Sequence, residues 1–329
     1  MTLLKGLLCL LSVAAGSQRG IKFQRDWHLH VLPQKPNEVL LPTVCPNGTL
    51  YLASSSGRLV AISSNGQLLF DKHISQTRSL TCSGTGDLYL TSLNQLLIMQ
   101  PSGSGELKLI SKMALSFDTW SIAVANRRNI VVSGFNPSNG FPLHVLNERG
   151  RVIRSFGEGR ASPDQFYSQS AQGPLLWDLI TKRILFMPHL IPEVQLYNLQ
   201  GDSLAIKTLG SLFKTISNRS FRLFANLSEQ VSAERIQAAS FLPKGDLLVQ
   251  VQRRSPSGSL DQYLSIFDSN VDPVGVSIKS MYGLLAGVDA NGHVFFLSDH
   301  DIVLGHFVRL QRSPVPNSLS CQNIGHHAQ

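Results

Sequence analysis

Six times along the chain, a turn marked by Gly or Asn, or by a basic residue, runs into a short stretch of large apolar residues. The copies read Asn47-Gly48-Thr49-Leu50-Tyr51-Leu52, Thr85-Gly86-Asp87-Leu88-Tyr89-Leu90, Arg128-Asn129-Ile130-Val131-Val132, Lys182-Arg183-Ile184-Leu185-Phe186, Lys244-Gly245-Asp246-Leu247-Leu248-Val249 and Asn291-Gly292-His293-Val294-Phe295-Phe296. From Leu50 through Leu88, Ile130, Ile184 and Leu247 to Val294, the steps are 38, 42, 54, 63 and 47 residues. A repeat of about 40–50 residues built from short strands predicts a β-propeller. Each blade packs only on its neighbours, so a chain of 329 residues needs no single large core.

The first copy predicts four strands: 42–45, 50–54, 58–63 and 67–70. Ser55-Ser56-Gly57 and Asn65-Gly66 supply hairpin turns, because Gly takes positive φ without a Cβ clash. Leu59 and Ala61 alternate with Arg58, Val60 and Ile62, which reads as a half-buried strand. The blades fall at about 39–72, 78–112, 119–156, 172–207, 236–279 and 282–310, within a propeller spanning 20–312. The leading strand of each is made mostly of small residues, as in Thr43-Val44-Cys45 and Ala286-Gly287-Val288, which suits crowding at a central axis. The sixth blade is one strand short. Residues 21–32 have strand character and are expected to supply its outer strand, which closes the ring and removes an open edge. The connection 209–235 is too long for a simple loop. It reads as an extra element packed on an edge or as a flap over one face. The tail 313–329, rich in Pro, Asn, Ser and His, is expected to be disordered.

The first blade, from Gly48-Thr49-Leu50 through Gly57-Arg58-Leu59 to Asn65-Gly66-Gln67-Leu68-Leu69-Phe70, resembles a pyrroloquinoline-quinone-type propeller repeat. Phe156-Gly157-Glu158-Gly159, followed by Asp164-Gln165-Phe166, resembles the linker of NHL-type repeats. Over about 20–310 the chain is similar to the exported six-bladed, NHL-like propellers of bacteria. That resemblance implies an all-β, six-bladed propeller with an N-terminal strand closing the last blade. The Trp that ends the quinone-type repeat is Phe70 here, and no cofactor is expected.

Residues 1–16 read as a secretory signal. Lys5 precedes an apolar run from Gly6 to Ala15, and Val13-Ala14-Ala15 offers small residues for cleavage after Ala15 or Gly16. An uncleaved anchor is the competing reading, although the run is shorter than the ~20 residues a membrane span needs. The expected location is secreted or periplasmic, with no stable membrane insertion after cleavage. The formal net charge is +8. Its Lys and Arg are spread through turns, which argues for solvated loops and against nucleic acid. Removing the signal leaves Cys45, Cys82 and Cys321. Cys45 and Cys82 end equivalent inner strands and are expected to be buried thiols. A disulfide would need Cα atoms within about 7 Å.

No nucleophile elbow, zinc-helix motif, paired Cys-x-x-Cys or phosphate loop is present. His28 and His30 share a strand face but have no carboxylate or Cys beside them, so no metal is expected. The loops entering the inner strands carry Arg78, Asp118, Trp120, Trp177, Arg235 and Tyr282, types that are enriched in binding hot spots. Trp120 and Trp177 read more readily as packing between blades. The expectation is an exported, non-catalytic propeller binding an unidentified protein or small molecule at one face. The alternative is a metal-dependent hydrolase of the lactonase or gluconolactonase type, which would need several oxygen ligands at one point on the axis.

Overall fold

The structure, a computed structural model, describes residues 21–30, 40–92, 94–102, 106–136, 140–157, 172–189, 191, 193–209, 234–255, 257–274, 277–298 and 301–309. The signal segment, the tail, most of the NHL-like linker and most of the connection 209–235 lie outside these residues. Among the described residues are six four-stranded antiparallel sheets and no helix long and apolar enough to cross a membrane. The chain is therefore all-β and folds as a six-bladed propeller.

Strands are numbered β1 to β24 in chain order. β1 is Ile21–His30. Blade one is β2 (Leu40–Val44), β3 (Leu50–Ser54), β4 (Arg58–Ile62) and β5 (Leu68–His73). Blade two runs from β6 (Ser79–Cys82) through β7 (Leu88–Ser92) and β8 (Gln95–Pro101) to β9 (Leu107–Ala114). Blade three holds β10 (Thr119–Asn126), β11 (Asn129–Gly134), β12 (Leu143–Leu146) and β13 (Val152–Phe156). Blade four holds β14 (Leu175–Asp178), β15 (Arg183–Phe186), β16 (Glu193–Tyr197) and β17 (Ser203–Thr208). Blade five is β18 (Glu234–Phe241), β19 (Leu247–Arg254), β20 (Leu260–Phe267) and β21 (Ile278–Ser280). Blade six is β22 (Leu284–Val288), β23 (Val294–Leu297) and β24 (Asp301–Arg309), completed by β1.

That completion is the closure expected from the sequence. β1 lies antiparallel to β24, with Ile21 opposite Arg309 and His30 opposite Asp301. A bulge between Arg25 and Trp27 accommodates Asp26, whose Oδ2 lies 3.0 Å from His306 Nδ1. Phe23 packs into a cluster with Tyr282, Phe296 and Phe307 at centroid distances of 4.8, 5.3 and 5.5 Å.

The second strands are largely buried, and β3, β7 and β23 are buried along their whole length. β4 is also buried beyond Arg58, so the half-buried alternation expected for it is corrected. Each blade is covered on both faces, and the period of two sends successive side chains to different neighbours. Leu50 and Leu52 pack with Phe295 and Leu304 of blade six. Tyr51 and Ala53 pack with Leu88 and Leu90 of blade two. Six such clusters fill the wedges between adjacent blades, and each fully buried Leu or Phe adds about 1.5–3 kcal/mol. The outermost strands face solvent on much of their length, as β5 does.

The turns share one chemistry. In the first turns of four blades, the N–H of Gly48, Gly86, Gly245 or Gly292 donates back three residues, to Cys45, Ser83, Leu242 or Asp289. Each of these glycines has a φ between 80° and 88°. Blade four departs from this pattern. Lys182, with a φ of 56°, donates its N–H to the Asp178 carbonyl at 2.9 Å. A Cβ in that left-handed region costs about 1–2 kcal/mol, partly offset by the greater freedom glycine has when unfolded. Lys182→Gly is therefore expected to raise unfolding free energy by about 0.5–1 kcal/mol, read from the urea midpoint. A lower midpoint would contradict this account of the turn.

Candidate functional site

Inner strands all start at one face of the propeller and finish at the other. At the finishing face the hub opens into a cavity of about 360 Å³. Every blade contributes to its wall: Val44, Cys82, Val124, Trp177, Phe241 and Val288 come from β2, β6, β10, β14, β18 and β22. The wall is mainly apolar, with Thr81, Ser83 and Ser240 as neutral polar groups. The mouth is formed by turns carrying Pro46, Gly84, Leu179, Ile180, Pro243 and Ala290. Leu179 and Ile180 are 52% and 62% exposed. Leu179 leans towards blade two, so that a Cβ on Gly84 would lie 3.6 Å from its methyl carbons. Ile180 reaches the other way, and a Cβ on Gly245 would meet its Cδ1 at 3.0 Å.

Two carboxylates reach this cavity, and both are engaged by their own turns. Asp178 Oδ1 accepts the N–H of Ile180 at 2.9 Å and of Thr181 at 3.1 Å. Its Oδ2 accepts the Thr181 hydroxyl and lies 3.5 Å from Arg183 Nη2. Asp289 Oδ1 accepts the N–H of Asn291 at 2.9 Å and of His293 at 2.8 Å, and its Oδ2 lies 2.9 Å from His293 Nδ1. These oxygens are turn caps. Among the described residues no three His, Cys, Asp or Glu side chains cluster as metal ligands.

The expectation of buried thiols is corrected. Cys45 and Cys82 form a disulfide with Cα atoms 5.2 Å apart, because residues ending adjacent inner strands are brought close at the hub. Cys82 is a wall residue of the cavity.

Of the six residues proposed from the sequence, Trp177 lies on the cavity. The other five sit near the starting ends of the inner strands, towards the opposite face. Arg78 and Asp118 are brought together, with Nη1 and Oδ2 3.1 Å apart across blades two and three. Trp120 is half-buried on β10. Arg235 donates from Nε to Gln252 Oε1 at 3.0 Å within its own blade. Tyr282 packs against Phe23 and Phe296 in the closure. The residues missed by sequence reasoning were Leu179 and Ile180. Their signal was present: four of the other first turns carry Pro46-Asn47-Gly48, Gly84-Thr85-Gly86, Pro243-Lys244-Gly245 and Ala290-Asn291-Gly292, the fifth carries Asn126-Arg127-Arg128, and only blade four places two large apolar residues there.

No protein-family model and no curated protein matches the chain. Solved structures do. A member of the DUF4221 family from Bacteroides vulgatus superposes with a TM-score of 0.57 at 10% identity, over 89% of this chain and 99% of that one. A protein of unknown function from Bacteroides caccae gives 0.55 at 12% identity, over 82% and 98%. Virginiamycin B lyase from Staphylococcus aureus gives 0.50 at 13% identity, over 88% and 99%. At such identities these likenesses establish the fold alone, and one fold hosts many activities.

Proposed function

We propose that the chain is an exported, non-catalytic propeller that binds the apolar part of a ligand in its axial cavity. The observation that carries this reading is the convergence of all six inner strands on one apolar hollow with an exposed Leu179-Ile180 mouth. Its volume lies in the usual range for small-ligand sites, roughly 300–1,000 Å³. The metal-dependent hydrolase has no specific observation in its favour, since both axial carboxylates serve as caps. The Cys45–Cys82 disulfide supports export, because such bonds persist in oxidising compartments. Protein recovered from the periplasm or medium with Gly16 or Ser17 at its amino terminus would support export; an intact Met1 in the cytosol would overturn it.

Decanol titrated calorimetrically into the protein tests the cavity. Gly84 has open space except for Leu179, and its backbone lies outside the left-handed region. Gly84→Trp should fill the mouth and weaken decanol binding by at least about tenfold, with the thermal midpoint little changed. Unaltered binding would show that the hub is not the site.

A further inference from the structure

Trp177 also lines a second hollow. A groove of about 340 Å³ lies at the finishing face between blades three and four, walled by Asn126 of blade three and by Trp177, Lys182, Asn198, Leu199 and Gln200 of blade four. Its walls are fixed by their own contacts. Asn198 accepts the Asp202 N–H at Oδ1, 2.9 Å away, and donates from Nδ2 to Asp202 Oδ2 at 2.8 Å. Arg154 Nη1 donates to the Leu199 carbonyl at 3.0 Å, which ties this turn to blade three. Trp177 and Leu199 rest on the apolar core between the two blades. Asn126 Oδ1 accepts the Arg128 N–H at 2.9 Å and the Asn129 side-chain amide at 3.2 Å. Asn126 Nδ2, the Gln200 amide and the Lys182 ammonium have no partner among the described residues.

Lys182 sets this groove apart. Four other blades give its left-handed position to glycine, whereas blade four keeps a side chain there at a φ of 56°. A residue held in a costly backbone conformation points to a use for its side chain. Here that side chain lines the groove, and no carboxylate does. Lys182 also forms no ion pair among the described residues. The hollow of about 270 Å³ shared by Arg128, Arg149 and Arg151 differs, since it is lined from blade three alone, includes Glu148 and has no aromatic wall.

We propose that the groove binds a sugar bearing a carboxylate. The C–H face of a pyranose ring packs on an indole such as Trp177. Its hydroxyls both donate and accept, as the amides of Asn126 and Gln200 do. The carboxylate of a uronate accepts charge-assisted hydrogen bonds from the Lys182 ammonium. One aromatic wall with a few placed polar groups is the usual make-up of a small-ligand site.

The test is a ligand-observed NMR titration of the full chain at low salt with methyl glucuronide and methyl glucoside, which differ in the carboxylate. The glucuronide should bind at least about fivefold more tightly. Lys182→Gly should cut that advantage to about twofold or less and leave glucoside binding unchanged. The same variant is expected to unfold at higher urea, so loss of fold would not explain the effect. Lys108→Gln on β9 removes the same charge from blade two and should preserve the advantage. Gln200→Ala should weaken both sugars by about threefold or more. Equal affinity for the two sugars, no binding of either, or equal effects of the two lysine variants would overturn the inference. It does not rest on the axial cavity: Gly84→Trp, which fills the hub mouth, should leave glucuronide binding intact. Loss of binding in that variant would move the sugar to the hub and overturn the inference.

Discussion

Phe23→Ala should lower the free energy of unfolding by about 3 kcal/mol, within the usual cost of emptying a large aromatic site. The ring is half-buried and holds β1 on blade six through three aromatic contacts, to Tyr282, Phe296 and Phe307. Removing residues 1–30 should do more. It strips β24 of its partner from Ile21 to His30 and leaves a long open edge in the one blade whose strands come from both ends of the chain. The expected result is a protein that unfolds at much lower urea, in a broadened transition, and self-associates on a sizing column through the exposed edge. Ile153→Ala on the outer strand of blade three is the control, because Ile153 is 55% exposed and lies away from the closure. Equal losses for Phe23→Ala and Ile153→Ala would remove the closing strand from the account of stability.

Acid should destabilise the fold through His144. This side chain is fully buried on β12, with its Nδ1 2.8 Å from the Ser155 hydroxyl and its Nε2 3.3 Å from the Gly134 carbonyl. Its ring packs 4.4 Å from that of Phe117. Burial lowers its pKa from 6.5 to about 4, against the partial support of backbone hydrogen bonds. The unfolded chain thus takes up the proton first. The stabilising contribution is complete above pH 6.5, falls as the pH drops towards 4 and levels off below it. The loss across that window is about 3 kcal/mol. His189 is shifted the same way by burial, so some slope will persist without His144. Urea midpoints at pH 7.5 and pH 4.5 for wild type and His144→Gln measure the difference. Parallel pH profiles would mean that His144 carries no such linkage.

Architecture could be read from the chain because a propeller writes itself locally. Leu50-Tyr51-Leu52, Leu88-Tyr89-Leu90 and Val294-Phe295-Phe296 are each the buried second strand of a blade, and the glycines before them close tight turns. Both signals act within a few residues. The alternation read into Arg58–Ile62 misled because a strand between two blades has no solvent face. The candidate site was less legible. Arg78, Asp118, Arg235 and Tyr282 were chosen by residue type, and the structure engages each in an ion pair, a hydrogen bond or aromatic packing. Trp177 alone of the six lines the hub.

The sequence by itself determined six blades, the small residues at the hub and the need for an N-terminal strand, because these depend on local periodicity and on counting strands. Only the tertiary structure decided which face opens into the cavity, that Cys45 meets Cys82, and that Arg128 shares a hollow with Arg149 and Arg151. Those outcomes depend on how far neighbouring strands tilt and approach around the ring. No stretch of chain encodes that distance alone.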